Sequence, residues 1–294
     1  MSAPSAASPA ASAEHGADGA GPAGGPRGRR LLASAPLARV IDGTLAMAQA
    51  EMRKLRHDHL DIVTRSVQPL LWLFIFGTAL RNNRSLSVGT HDYRAYLAPG
   101  VMAQAAMFIA IFFGLAVIWE RDVGQLQRLL ATPLSRSSIV LGKAAGACVR
   151  ALVQALLLLA VLAAASIGVR WNVLGVLGAL AMLMLGTAAF ACMSMLLAAV
   201  VKERERFMGI GQLIMMPLFF ASSALYPLSI MPVWLRAIAR VNPLTYEVQG
   251  LRQMLVRLNP HPPSGEVWLD FLVVAAFFAV MLAAATRAYP KAIL

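Results

Sequence analysis

The chain has 294 residues, of which 59% are hydrophobic and only 14% charged, and its mean hydropathy is +0.66. Soluble domains carry about 25% charged residues, so this composition excludes an ordinary soluble globule and points to a multi-span membrane protein. The net charge of +12 does not indicate nucleic acid, because the basic residues flank apolar runs, where they set topology and meet anionic lipid.

Residues 1–35 are dominated by Ala, Gly, Ser and Pro and have too little apolar bulk to offset the entropy of ordering, which predicts a disordered cytoplasmic tail. Met1 to Arg30 lacks the apolar core of a signal peptide, so the first membrane segment is expected to act as an uncleaved targeting signal. Between 39 and 59, Ile41, Leu45, Ala48, Met52 and Leu55 recur at helical spacing among Arg39, Arg53, Lys54 and Arg56. That pattern predicts an amphipathic helix lying in the headgroup plane. His57 and His59 are two apart on it and do not face one another, so no metal site is read there.

Six apolar runs follow, at about 61–80, 95–118, 144–169, 173–201, 207–231 and 267–286. Each is long enough to cross a hydrocarbon core of about 30 Å, and each is continuous rather than alternating, which predicts helices and not a barrel. The fold class is therefore all-α integral membrane, with residues 36–294 forming one transmembrane domain. With the N-terminus inside, about thirteen Lys and Arg residues flank the inner ends, against Arg81, Arg84, Arg94 and Arg170 in the short outer loops. Both termini are thus expected in the cytoplasm. Arg65, Arg150 and Asp270 lie near the ends of their runs, where each is expected to reach the interface by snorkelling or to sit at headgroup depth. Cys148 and Cys192 lie within apolar runs without metal-ligand spacing.

Two connecting segments carry more pattern than a linker needs. The first reads Trp-Glu-Arg-Asp-Val-Gly-Gln-Leu-Gln-Arg-Leu-Leu-Ala-Thr-Pro from Trp119 to Pro133. Val123, Leu126 and Leu130 share a helical face, Glu120 and Asp122 are read as its first turn, and Pro133 ends it. Ser135, Ser137 or Ser138 is expected to cap the next helix, which carries Lys143. The second segment lies between 231 and 266. There Pro232, Trp234, Leu235 and Ile238 predict a short amphipathic turn, and Val248, Leu251, Leu255 and Leu258 predict a helix after Asn242-Pro243. Amphipathicity fits both a helix dipping into the outer leaflet and one resting on it.

Trp-Glu-Arg-Asp-x-Gly-x-Leu-x-x-Leu-Leu-x-x-Pro, followed by Leu141-Gly142-Lys143, resembles the first cytosolic loop of ABC-2 type transporter permeases, in the branch of daunorubicin-resistance and nodulation-factor exporters. Leu97-Ala98-Pro99-Gly100 and Asn242-Pro243-Leu244-Thr245-Tyr246 extend the resemblance from about Arg39 to Leu294. It implies a coupling helix from Glu120 to Leu130 seated in a groove of a separate ATPase subunit. Glu120, Arg121, Asp122, Gly124, Leu126, Leu130, Pro133 and Lys143 are its ATPase-coupling candidates. It implies an outer re-entrant lid, with Asn242, Pro243, Thr245 and Tyr246 as gate candidates. A second permease chain, most simply an identical one, and two ATPases complete the expected assembly. The expected location is a bacterial inner membrane. ATP and Mg²⁺ belong on the partner, since the chain has no Gly-x-x-x-x-Gly-Lys-Ser/Thr to cradle phosphates and no cofactor motif of its own. The expected function is export of an amphipathic drug-like, lipid or glycolipid substrate. An ion-gradient-driven secondary transporter is the alternative, and it requires broken helices with ligands at mid-membrane depth.

Overall fold

The computed structural model describes residues 41–46, 48, 49, 53, 59–80, 92–124, 136–201, 203–256 and 265–288. These are helical almost throughout, and among them the only strand-like pairing is a bridge between Val169 and Val256. Helix α1 (His59–Leu71) continues through a π turn (Trp72–Phe76) into a last helical turn (Gly77–Ala79). It is followed by α2 (Tyr93–Asp122), α3 (Arg136–Ala164), α4 (Val173–Val200), α5 (Arg204–Phe220), α6 (Val233–Val241), α7 (Pro243–Leu255) and α8 (Gly265–Ala288). The described residues between 41 and 53 are helical, with Ile41 and Leu45 facing outward.

Helices α2, α3, α4 and α8 are each long and apolar enough to cross a membrane. Helix α4 is the hub, packing against α2, α3, α7 and α8. Lipid tails give apolar helices no reason to associate, so close packing depends on small residues and on hydrogen bonds between helices. Both occur between α2 and α4. Ser194 Oγ donates to the Ile111 carbonyl and accepts from the Gly114 N–H at 3.0 Å. A side chain at Gly114 would collide with Ser194 and with the ring of Phe207. Cys148 Sγ of α3 lies 3.2 Å from the Met184 carbonyl of α4.

The fifth apolar run is not one helix to 231, as its hydropathy suggests. Helix α5 ends at Phe220 after 17 residues, or about 25 Å. Pro217 removes one backbone donor from its last turn. The Asn242 side chain then takes the Leu218 and Ala221 carbonyls at 2.6 and 2.9 Å, and Ser222 Oγ bonds the Phe219 carbonyl at 2.6 Å. Acceptors that would continue the helix are used by side chains instead, and the chain turns back through 221–227.

Beyond that turn the chain forms two short helices, α6 then α7, joined at Asn242. Helix α7 runs antiparallel beside the first half of α4. Met254 sits against Gly175 and Gly178, Met182 against Gly250, and the Glu247 carboxylate against Gly186 at the midpoint of α4. The far end of α7 is level with the α3–α4 connection, where the Arg170 N–H donates to the Leu255 carbonyl at 2.7 Å. Asp270, near the start of α8, is packed inside the protein and does not extend away from it. It is buried in α8 and accepts from Gln253 Nε2 at 3.2 Å. Arg150 is half-buried with its guanidinium 5.3 Å from the Phe113 ring centroid. The Arg65 side chain lies outside the described residues.

Candidate functional site

Two polar clusters stand at opposite ends of α2. At its C-terminal end, Glu120 pairs with Lys143, which is 1% exposed on α3. Asp122 pairs with Arg204, the first residue of α5, through Nη2 at 2.7 Å and Nε at 2.9 Å. The Arg204 guanidinium also lies 4.0 Å from the centroid of the Trp119 ring. Arg121 Nε is 3.5 Å from its neighbour Asp122. The ends of α2, α3 and α5 are therefore tied by charge at one place.

Glu120 and Asp122 are not the first turn of a coupling helix. They form the last turn of α2, which stops at Asp122, and Gly124 follows at φ +72°. That φ favours glycine, because a Cβ there meets the backbone. Carboxylates at a helix C-terminus are disfavoured by the dipole by about 0.3–1 kcal/mol, and Lys143 and Arg204 offset this. The charge pattern reads as a helix start only while those distant cations are out of view. Leu126, Leu130, Pro133 and Ser135 lie outside the described residues. Val123, expected on the apolar face, is 62% exposed next to exposed Trp119.

At the N-terminal end of α2 the polar groups are buried. The Asn242 carbonyl oxygen caps α7 by accepting from Leu244 N at 3.0 Å, while its amide holds the end of α5. Pro243 occupies the first turn of α7, where a missing N–H costs nothing. Thr245 is buried, with its carbonyl 3.3 Å from Ser223 Oγ, and Tyr246 Oη donates to the Arg240 carbonyl at 2.6 Å. The four gate candidates thus meet where α5, α6 and α7 join. Beside them lies an apolar groove of about 530 Å³ lined by Pro217, Leu218, Ile238, Val241 and Pro243.

Sequence reasoning missed the centre of this cluster. Arg252 is buried, with its guanidinium 3.7 Å from the Tyr96 ring centroid, and Nη2 donates to the carbonyls of Ser223 at 2.8 Å and Tyr96 at 3.4 Å. Glu247 is 1% exposed, and neither carboxylate oxygen has a hydrogen-bond partner among the described residues. The signal was available. Leu244, Glu247, Val248, Leu251, Arg252 and Leu255 follow one three-and-four spacing, so both charges share the apolar stripe rather than the polar face. Among the described residues, no three His, Cys, Asp or Glu side chains come together as a metal site needs.

Residues 43–256 match the ABC-2 type transporter family, well over half of the chain. The chain belongs to that family. Among its curated relatives is a putative transport permease, ycf38, from Pyropia yezoensis, 31% identical over 66% of this chain and 67% of the relative. Another is the daunorubicin resistance ABC transporter permease protein DrrB1 of Streptomyces coeruleorubidus, 25% identical over 86% of this chain and 87% of its own length. Nodulation protein J of Rhizobium leguminosarum bv. trifolii is 31% identical over 64% of this chain and 71% of the relative. The ABC-2 match takes in both clusters, so the charged ends of α2, α3 and α5 and the helices α6 and α7 lie within the matched region.

Proposed function

We propose that this ABC-2 protein is the membrane subunit of an exporter driven by a separate ATPase, and that it works as a dimer of two such chains. Helices α1 to α5 and α8 are its six spans, with both termini on the cytoplasmic side of a bacterial inner membrane. ATP and Mg²⁺ bind the partner subunit. Residues 1–35 are a cytoplasmic tail, and 39–59 lie at the inner interface. The substrate is an amphipathic molecule moved outward along the membrane path, and the α6–α7 segment is a re-entrant gate near its exit.

The observation that carries this reading is the knot of ion pairs joining α2, α3 and α5 on either side of the 125–135 segment. A push on that segment reaches three helices together. Exposed Trp119 and Val123 give the partner an apolar surface beside the knot. The Leu126→Pro variant, co-expressed with the ATPase recovered by pull-down of the wild-type chain, is expected to insert normally and lose ATP-dependent efflux. Undiminished efflux from that variant would refute coupling through this segment.

One observation favours the secondary-transporter reading. Glu247 brings a carboxylate with no hydrogen-bond partner among the described residues to the midpoint of α4, the depth at which an ion-coupled carrier places its ligands. Efflux that survives removal of the ATPase and collapses with the proton gradient would decide for that reading.

A further inference from the structure

A third polar feature lies among the helices, away from both clusters. A cavity of about 70 Å³ opens between α1, α2 and α3, lined by Gln68, Gln104, Phe108, Phe112 and Gln154 among others. Gln104 and Gln154 are 5% and 2% exposed, placements that are rare for amides without a reason. Ser66 Oγ holds the Gln154 carbonyl oxygen at 3.1 Å. The Gln154 amino group and the Gln104 carbonyl oxygen then have no hydrogen-bond partner among the described residues. One unused donor and one unused acceptor therefore line the same small space. Leaving such groups buried and unmatched is costly, which makes the cavity a site waiting for a hydrogen-bonding occupant.

The chemistry of that occupant is set by the lining. A hydroxyl both donates and accepts, an ammonium cannot accept, and a carboxylate cannot donate. Among the described residues that line it none is ionisable, and they offer a charged group no counter-charge. Phe108 and Phe112 stack with ring centroids 6.4 Å apart and present flat apolar surfaces beside the amides. A sugar edge combines those demands, with hydroxyls around its rim and C–H groups on its faces. The space accepts such an edge and not a whole amphiphile, so the remainder lies outside the mouth, where Gln68 is exposed.

We propose that the Gln104–Gln154 cavity binds the uncharged, hydroxyl-bearing head group of an amphipathic substrate, such as a glycolipid. This rests on the exporter reading for its biological sense, but binding is measured on the full chain alone, without ATPase or ATP. The two ideas therefore fail separately: efflux of the Leu126→Pro variant reports on coupling, and binding reports on the cavity.

The chain is placed in phosphatidylcholine nanodiscs and photolabelled with an octyl glucoside carrying a diazirine on the sugar, and the cross-linked peptides are mapped by mass spectrometry. Cross-links are expected on α2 between 104 and 112 and on α3 around Gln154. Unlabelled octyl glucoside is expected to compete at least about ten-fold better than octyltrimethylammonium or octyl sulfate. Gln104→Leu and Gln154→Leu are each expected to lower labelling about ten-fold, the loss of one well-made hydrogen bond. Gln104→Leu leaves the Ser66–Gln154 bond intact, so one variant serves if the other misfolds, and the competition needs neither. Equal competition by the charged amphiphiles, labelling scattered over lipid-facing helices, or no label at the cavity (water being its only occupant) would each overturn the proposal.

Discussion

The two ends of α2 solve the same problem by different means. At the C-terminal end, charges from three helices meet opposite charges, partly in reach of solvent. At the N-terminal end, a buried arginine meets backbone carbonyls and an aromatic face, and an asparagine finishes one helix while starting another. Ion pairs between helix ends can part and re-form with little change in the helices themselves. Carbonyls released by a broken helix have no such freedom, because each lost bond leaves a buried polar group. The ion-pair knot is suited to transmitting load, and the Arg252–Asn242 cluster to holding an irregular chain in place.

Three substitutions test this contrast. Glu120→Lys sets a second cation beside buried Lys143, and breaking such a pair costs about 3–5 kcal/mol. Loss of the monodisperse folded peak on size exclusion in detergent is expected, with recovery in the Glu120→Lys/Lys143→Glu swap. A swap that recovers nothing would show that the pair is held by its local surroundings and not by charge. Arg252→Met keeps bulk while removing the donors to Ser223 and Tyr96 and the contact with the Tyr96 ring. We expect a loss of about 2–4 kcal/mol, read as a lowered midpoint in thermal unfolding that salt leaves unchanged. Asp122→Asn touches an exposed pair and is expected to cost about 0–1 kcal/mol of stability, less at high salt. An unfolding shift as large as that of Arg252→Met would erase the distinction between the two ends.

Much of the helix layout is legible in hydropathy. The runs at 95–118, 173–201 and 267–286 lie within or nearly coincide with α2, α4 and α8, because burial in protein and burial in lipid select the same residues. The end of α5 is hidden for that same reason. Ala221, Ser222, Ser223 and Ala224 read as a mild continuation of the run, while the contacts that stop it come from Asn242, some twenty residues on. At the C-terminal end of α2 a sound local rule misleads. Acidic residues mark helix starts on average, but Glu120 and Asp122 are stabilised by Lys143 and Arg204, which no window of sequence places beside them. Arg252 reads as a polar-face residue on its charge alone, although its spacing from Val248 and Leu255 already puts it on the apolar one.

One property of α2 sets the scale on which the two ends can communicate. It is a single rod of 30 residues, about 45 Å long. At its upper end Gly100 lies so close to the Ala224 backbone that no side chain fits between them. Pivoting such a rod by about 5° displaces its tip by about 4 Å, close to the width of a hydrocarbon chain. A tilt of about 5° around the Gly100 contact carries the Glu120–Asp122 end, roughly 33 Å away, sideways by about 3 Å without unwinding a turn.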